Sequence, residues 1–286
     1  VIIDAHQHVW DLDRAEYTWL GPDLAPINRT IAFEELAPEL AGHGISGSVL
    51  VQAADNADDT ELMLDTARRN PSVLAVVAWA PLDEPDQLPA RLQWLTEQPI
   101  VRGIRNLFHA REREWAISPM VDAGLTLLEQ SPFTLDFVTS DPAALAELVT
   151  IGERHPTLRI VLDHLGKPPI GGTAQQHAEW RALLAAVAAN PRVFAKVSGL
   201  YSSVGDMAGW SVGGIHPFFD DALELFGAER LMYGGDWPIS ELAGGYTRTW
   251  DAISQLVQPL PEHDRSRILG ATAAEFYGFG DSGGAG

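Results

Sequence analysis

The chain has 286 residues, long for an ordinary domain but close to the ~250 typical of one α/β barrel. With 46% hydrophobic residues it can bury a sizeable core, yet no apolar run reaches the ~20 residues that span a bilayer. Its 39 acids against 19 bases, a formal net charge of −20, predict repulsion from nucleic acid and anionic membranes, and the absence of cysteine removes disulfides, thiolate metal sites and thiol nucleophiles.

Eight β-rich runs recur along the chain and read as strands. They are VIIDAH (1–6), SVLVQAA (48–54), VLAVVAW (73–79), IVRGIRN (100–106), FTLDFVT (133–139), LRIVLDH (158–164), VFAKVSG (193–199) and LMYGGDW (231–237). Most are continuously apolar rather than alternating, as parallel strands buried on both faces require. Between them, TELMLDTARRN (60–70), PAALAELVTIGERH (142–155) and WRALLAAVAAN (180–190) carry apolar residues at helical spacing. Ser140 or Asp141 offers the N-cap of the second helix, with Pro142 in its first turn. RRNPSV, ERHPTL and AANPRV each stop a helix at a proline and open a strand. Eight βα units in this length predict the α/β class and a single closed (β/α)8 barrel over residues 1–279, followed by a flexible Gly-rich tail at 280–286. A doubly wound open sheet competes, but the first βα turn has no glycine-rich phosphate loop.

In such a barrel the chemistry lies at the C-terminal ends of the strands. Strand one ends in His6 and His8, whose spacing puts both imidazoles on one face, with Asp4 at the same parity. Strand four ends in Arg105-Asn106 with His109 close behind, and strand six in Asp163-His164, within LDHLGKP. Strand seven ends in Lys196 and Ser198, and strand eight in Asp236-Trp237. Nearly all bases are arginine; Lys167 and Lys196 are the only lysines, and both fall in these stretches. A carboxylate, a guanidinium, both ammonium groups and several imidazoles are therefore expected around one mouth. Trp10, Tyr201 and Trp237 lie at or just past strand ends. There a flat apolar face beside polar groups suits a sugar ring, and packing of the mouth is the other role aromatics take.

The set IDAHQHVW, RGIRN, LDHLGKP, KVSGL, YGGDWP and AEFYGF resembles the amidohydrolase superfamily, and within it the branch of sugar-lactone hydrolases, from Ile3 to about Phe279. The resemblance implies a distorted (β/α)8 TIM barrel, metal ligands at His6, His8, His164 and Asp236, and opening of the ring ester of a small lactone. Binuclear members carry a lysine or another ligand at strand four or five and a histidine at strand five. Here those strands end in IRN and DFVT, so a two-metal centre is not expected. One divalent ion, zinc on this imidazole and carboxylate donor set, is one expectation. A metal-independent site, as in some relatives of the lactonase branch, is the other.

Lactone hydrolysis needs an activated water, a polarised carbonyl and a protonated leaving alkoxide. Asp236 is the candidate base, with capping of the following turn as its structural alternative. Without a metal, His164, His6 and Arg105 are the candidates for stabilising the oxyanion. Arg105 fits equally well a buried ion pair with Asp4 or Asp136. Asn106, His109 and Lys167 are expected to contact substrate together with Trp10, Tyr201 and Trp237; His109 fits a solvated loop equally well. An aldonolactone of a (deoxy)sugar is preferred to an aromatic-pathway lactone with several carboxylates. The latter calls for more strand-end arginines than Arg105 with Arg111 or Arg113. A mononuclear-metal decarboxylase of an unsaturated or aromatic acid, and a barrel that binds a ligand without turnover, are the competing readings. No nucleic-acid or membrane partner is expected, and self-association is left open. The first residues lack a charged segment followed by an apolar one, so a cytoplasmic location is expected.

Overall fold

The computed structural model describes residues 1–279; the tail expected at 280–286 lies outside the described residues. Eight parallel strands pair in chain order: β1 (Ile2–Gln7), β2 (Ile45–Val51), β3 (Val73–Ala78), β4 (Val101–Asn106), β5 (Thr134–Phe137), β6 (Ile160–Leu162), β7 (Val193–Val197) and β8 (Leu231–Tyr233). The segment after β8 then folds onto β1. His8 N donates to Trp237 O at 2.7 Å, and Asp236 N donates to His6 O at 2.8 Å. Helices α1 (Phe33–Gly42), α2 (Ala57–Arg69), α3 (Leu88–Thr96), α4 (Pro119–Glu129), α5 (Leu145–Arg154), α6 (Ala174–Ala188), α7 (Val212–Phe226) and α8 (Tyr246–Val257) alternate with the strands. The result is the expected (β/α)8 barrel.

Two apolar layers hold it. Outward-facing strand residues such as Leu50, Ile104 and Leu162 pack with helix residues such as Met63, Leu125 and Leu184. Inside the cylinder, Ile3, Ala5, Val49, Val77, Val161 and Phe194 meet Ala273, Phe276 and Tyr277. The last three belong to α10 (Thr272–Tyr277), which follows a short α9 (Glu262–Ser266) and fills the barrel from the N-terminal ends of the strands. The opposite end is left for polar side chains.

The strands β6 and β8 are shorter than their apolar runs suggest, for backbone reasons. His164, Leu165 and Lys167 adopt left-handed conformations (φ 54°, 51° and 57°), and so does Asp236 (φ 54°). Each leaves the ladder at the point where its side chain is needed; strain of this kind, of order 1–3 kcal/mol per residue, persists only where the surroundings enforce it. Before Asp236, a Cβ on Gly234 would lie 2.6 Å from the Cβ of His6, so only glycine lets the chain pass. The helices also differ at their starts. The span expected from 142 begins as a 3-10 turn, Pro142–Ala144, with Asp141 Oδ1 accepting from Ala143 N at 2.9 Å, so Asp141 is the cap. Helix α6 begins at Ala174, earlier than its apolar spacing indicates, because a capping box between Thr173 and Gln176 starts it on polar residues.

Candidate active site

The strand-one pair is set by an irregularity. Strand register shifts between Asp4 and Gln7, and a bulge of this kind re-aims the side chains after it. Asp4 therefore does not share the face of His6 and His8, contrary to simple parity. Its carboxylate turns to α8, accepting from Tyr246 Oη at 2.6 Å and from Gly235 N at 2.9 Å. His8 borders the mouth and His6 lies beneath it, with their Nε2 atoms 3.1 Å apart. Asp236 Oδ1 lies 3.7 Å from the first and 3.5 Å from the second. His8 Nδ1 is 2.7 Å from Val51 O, an acceptor that demands the proton on Nδ1 and leaves the Nε2 lone pair facing Asp236.

These three donors fit a single divalent ion. Ligands about 2.0–2.1 Å from a tetrahedral centre stand about 3.3–3.4 Å from one another, close to the spacings found here. A carbonyl behind His8 and the Asp163 carboxylate, 3.3 Å from His6 Nδ1, are the outer partners that orient ligating imidazoles. A second group, His6, Asp163 and His164, also has metal-ligand spacing. It is already supplied with positive charge. Lys196 Nζ stands 3.0 Å from Asp163 and 3.1 Å from His6 Nδ1, and Arg105 donates to Asp163 Oδ2 at 2.9 Å. Two metals are thus disfavoured on this chain's own electrostatics. His164 falls in this second group rather than with His8 and Asp236.

Arg105 combines both of its expected roles, with a different acid. It borders the mouth, and it pairs with Asp163 rather than with Asp4 or Asp136, which lie on other partners. Its other amino group donates to Gln52 O at 2.6 Å. Below, Lys196 also reaches Asp136 at 2.5 Å, and Tyr277 of α10 donates to Asp136 at 2.8 Å. Burial raises the Asp136 carboxyl to about 6 against the pull of Lys196. Asp163 is held well below the usual carboxylate range; burial opposes this, but Lys196, His6 and Arg105 outweigh it.

Burial drives the imidazoles toward neutrality, His6 well below its ordinary value and His164 to about 4. Burial alone would raise Asp236, but the neighbouring imidazoles, His164 first, then His8 and His6, overcome it and keep the carboxyl depressed. Tyr201 donates to Asp236 Oδ2 at 3.0 Å, and His164 Nδ1 sits 2.9 Å from Ser198 Oγ. Gly199 makes this packing possible. Its φ is +54°, and a Cβ there would stand 2.5 Å from His164 Nδ1 and 2.6 Å from Asp236 Oδ2.

A cavity of about 230 Å³ opens above these groups, bordered by His8, Arg105, His109, His164, Lys167 and Asp236. The profile of the amidohydrolase family matches residues 3–279 of this sequence. The chain belongs to the amidohydrolase family. An L-fucono-1,5-lactonase of Burkholderia ambifaria is 33% identical over 280 residues, covering 96% of this chain and 94% of its own. An L-fucono-1,5-lactonase of Burkholderia multivorans is 31% identical, with 96% and 95% covered. A crystal structure of a Burkholderia multivorans amidohydrolase with bound zinc superposes at a TM-score of 0.90, with 30% identity over 98% of this chain and 99% of its own.

In this amidohydrolase, four residues expected to contact substrate do not line the cavity. Trp10 is fully buried, with its indole N–H shared between Ile27 O and Arg29 O. Asn106 is buried and donates to Ala80 O at 3.1 Å. Tyr201 lies behind Asp236, which it orients, and Trp237 is buried with its backbone in the barrel seam. His6 likewise sits beneath the cavity floor, fully buried. In their place the cavity has Trp19, Thr139, Ser140 and Ser202. Trp19 is half-buried, held by an N–H bond to Ala53 O at 2.7 Å and edge-on to Trp10. Its only signal in the sequence was an aromatic pair in a long polar loop.

Proposed function

We propose that this amidohydrolase opens the ring ester of a sugar-derived lactone, with Asp236 as the base that activates water. One observation carries the reading: an ionised, buried carboxylate faces the same cavity as His164 and Lys167, with His6 and His8 on its other side. Asp236 takes a proton from the attacking water and returns it to the ring oxygen as the leaving alkoxide departs. Tyr201 fixes the rotation of that carboxylate. His164, with Ser198 as donor to Nδ1, presents Nε2–H to the carbonyl oxygen, and the Lys167 ammonium adds a second donor as negative charge develops. The amino groups of Arg105 donate to Asp163 and Gln52 while its buried Nε–H has no partner, so it contributes positive potential at the mouth and keeps one unused donor.

His6, His8 and Asp236 are the residues that would hold a divalent ion, zinc by donor type. When bound, it supplies a Lewis acid that polarises the carbonyl and acidifies water. The names of the Burkholderia relatives support a 1,5-lactone of a deoxysugar acid as the substrate class. So do the hydroxyls of Thr139, Ser140 and Ser202 beside Trp19. Arg111 is committed to Asp55 at 2.9 Å and to the ring of Trp115, which weakens the case for a lactone bearing several carboxylates. Among the described residues no helix is long and apolar enough to cross a membrane.

A panel of aldono-1,5- and 1,4-lactones, followed by acid release with a pH indicator, tests the activity. Repeating it after chelation and after zinc is restored tests the ion. Acid release from a sugar lactone is expected. Silence across the panel, with carbon dioxide evolved from an unsaturated or aromatic acid, would overturn the reading in favour of decarboxylation.

A further inference from the structure

The mouth cavity, at about 230 Å³, is smaller than the ~300–1,000 Å³ usual for small-molecule sites and suits a single ring. It does not end at Lys167. Ser140, Lys167 and Ser202 border it and also border a second cavity of about 540 Å³. This second space lies between the turn that follows β5 and the outer side of α6, with Pro169 and Leu183 among its apolar walls. Ser203 contributes a buried Oγ that makes no hydrogen bond. A buried hydroxyl without a partner is unusual and is satisfied by a ligand that can hydrogen-bond.

Charge selects the class of ligand. Among the described residues Lys167 is the one cation on these walls, and it is opposed by Asp141 and Glu179, so a phosphate or carboxylate would meet net negative charge. Three serine hydroxyls beside a proline ring and a leucine suit a neutral ring with hydroxyls at its edge and C–H groups on its face. We propose that the second cavity is a subsite for a neutral glycosyl group carried on a hydroxyl of the lactone, so that the preferred substrate is a glycosylated aldonolactone. The inference rests on the lactone-hydrolase reading above and adds a second sugar unit to it.

The test compares the parent lactone that the enzyme hydrolyses fastest with the same lactone glycosylated at each free hydroxyl in turn. At least one derivative should exceed the parent tenfold in kcat/KM. Ala143→Trp and Leu183→Trp, which fill the second cavity away from Asp236 and His164, should abolish that gain and leave the parent's kcat/KM unchanged. The subsite is refuted if every derivative is slower than the parent, or if both filling variants slow parent and derivative alike. If no lactone is hydrolysed, the activity reading fails separately. Calorimetric binding of an unhydrolysable deoxysugar aldono-1,5-lactam and of its glycosylated forms then decides the subsite: tighter binding of a glycosylated form that Ala143→Trp removes upholds it, and equal or weaker binding refutes it.

Discussion

The two ring nitrogens of His6 look onto different chemistry. Beside Nδ1 stand Asp163 and Lys196, with Asp136 one bond further on; beside Nε2 stand His8 and Asp236, and Arg105, paired with Asp163, reaches to 3.5 Å from Nε2. Both clusters are buried and both are made of imidazole and carboxylate. The first closes on itself, with two fixed cations against two acids. The second does not: the ion-pair neighbours of Asp236 among the described residues are two imidazoles, and burial keeps that of His6 from charging readily. The closed cluster is a foundation. The open one holds an ionised carboxylate and borders the mouth, and in the reading proposed above it is the reactive one.

That contrast can be broken from either side. Asp236→Asn removes the open carboxylate while keeping its shape, and turnover should fall by about 10²–10⁴ with unchanged unfolding behaviour. Near-normal kcat in this variant would remove Asp236 as base. Lys196→Met opens the closed cluster, leaving Asp136 and Asp163 short of a buried cation, and should lower stability by about 3–5 kcal/mol in denaturant titration. A loss under 1 kcal/mol would mean that the network is not a foundation.

A third test uses pH. His164 is neutral in the fold down to about 4, whereas unfolded histidine binds a proton near 6.5, so the unfolded state takes up more protons in that window. The stability attached to His164 is therefore complete above pH 6.5 and is lost as the pH falls toward 4, by about 3 kcal/mol. Measured as the difference between the wild type and His164→Gln, this slope should appear; parallel stability curves would show that His164 is not held neutral. The smallest effect is expected of Tyr201→Phe, which deletes one donor to Asp236. It should cost about 1 kcal/mol in activation free energy, roughly fivefold in kcat, with KM little changed. A change confined to KM would place Tyr201 against substrate instead.

The barrel was legible because buried parallel strands leave unbroken apolar runs such as VLAVVA and because proline marks the helix stops. What the runs could not convey was where the backbone turns out of the ladder. LRIVLDH and LMYGGDW look like seven-residue strands, yet each keeps only three ladder residues, the first ending just before the left-handed His164 and the second at the Gly234-Gly235 pair that precedes the left-handed Asp236. The strand-end rule brings His8, Arg105, His164, Lys167 and Asp236 to one mouth, and all five border its cavity, since position along a strand fixes which end a residue occupies. It says less about direction. Trp10, Asn106, Tyr201 and Trp237 are at the correct end but turned into packing, and the bulge in β1 sends Asp4 outward while parity puts it with the histidines. Trp19 was illegible for another reason. It comes from the long connection between β1 and α1, where no periodicity governs which side chain folds back over the mouth.

Of the four residues whose backbone bonds shut the cylinder, from His8 to Trp237 and from Asp236 to His6, all but Trp237 have side chains in the open cluster. Sealing the sheet and aligning acid with imidazole are thus one event. A breathing motion between first and last strand would not act as a gate for substrate; it would dissolve the reactive alignment while most of the molecule stayed folded.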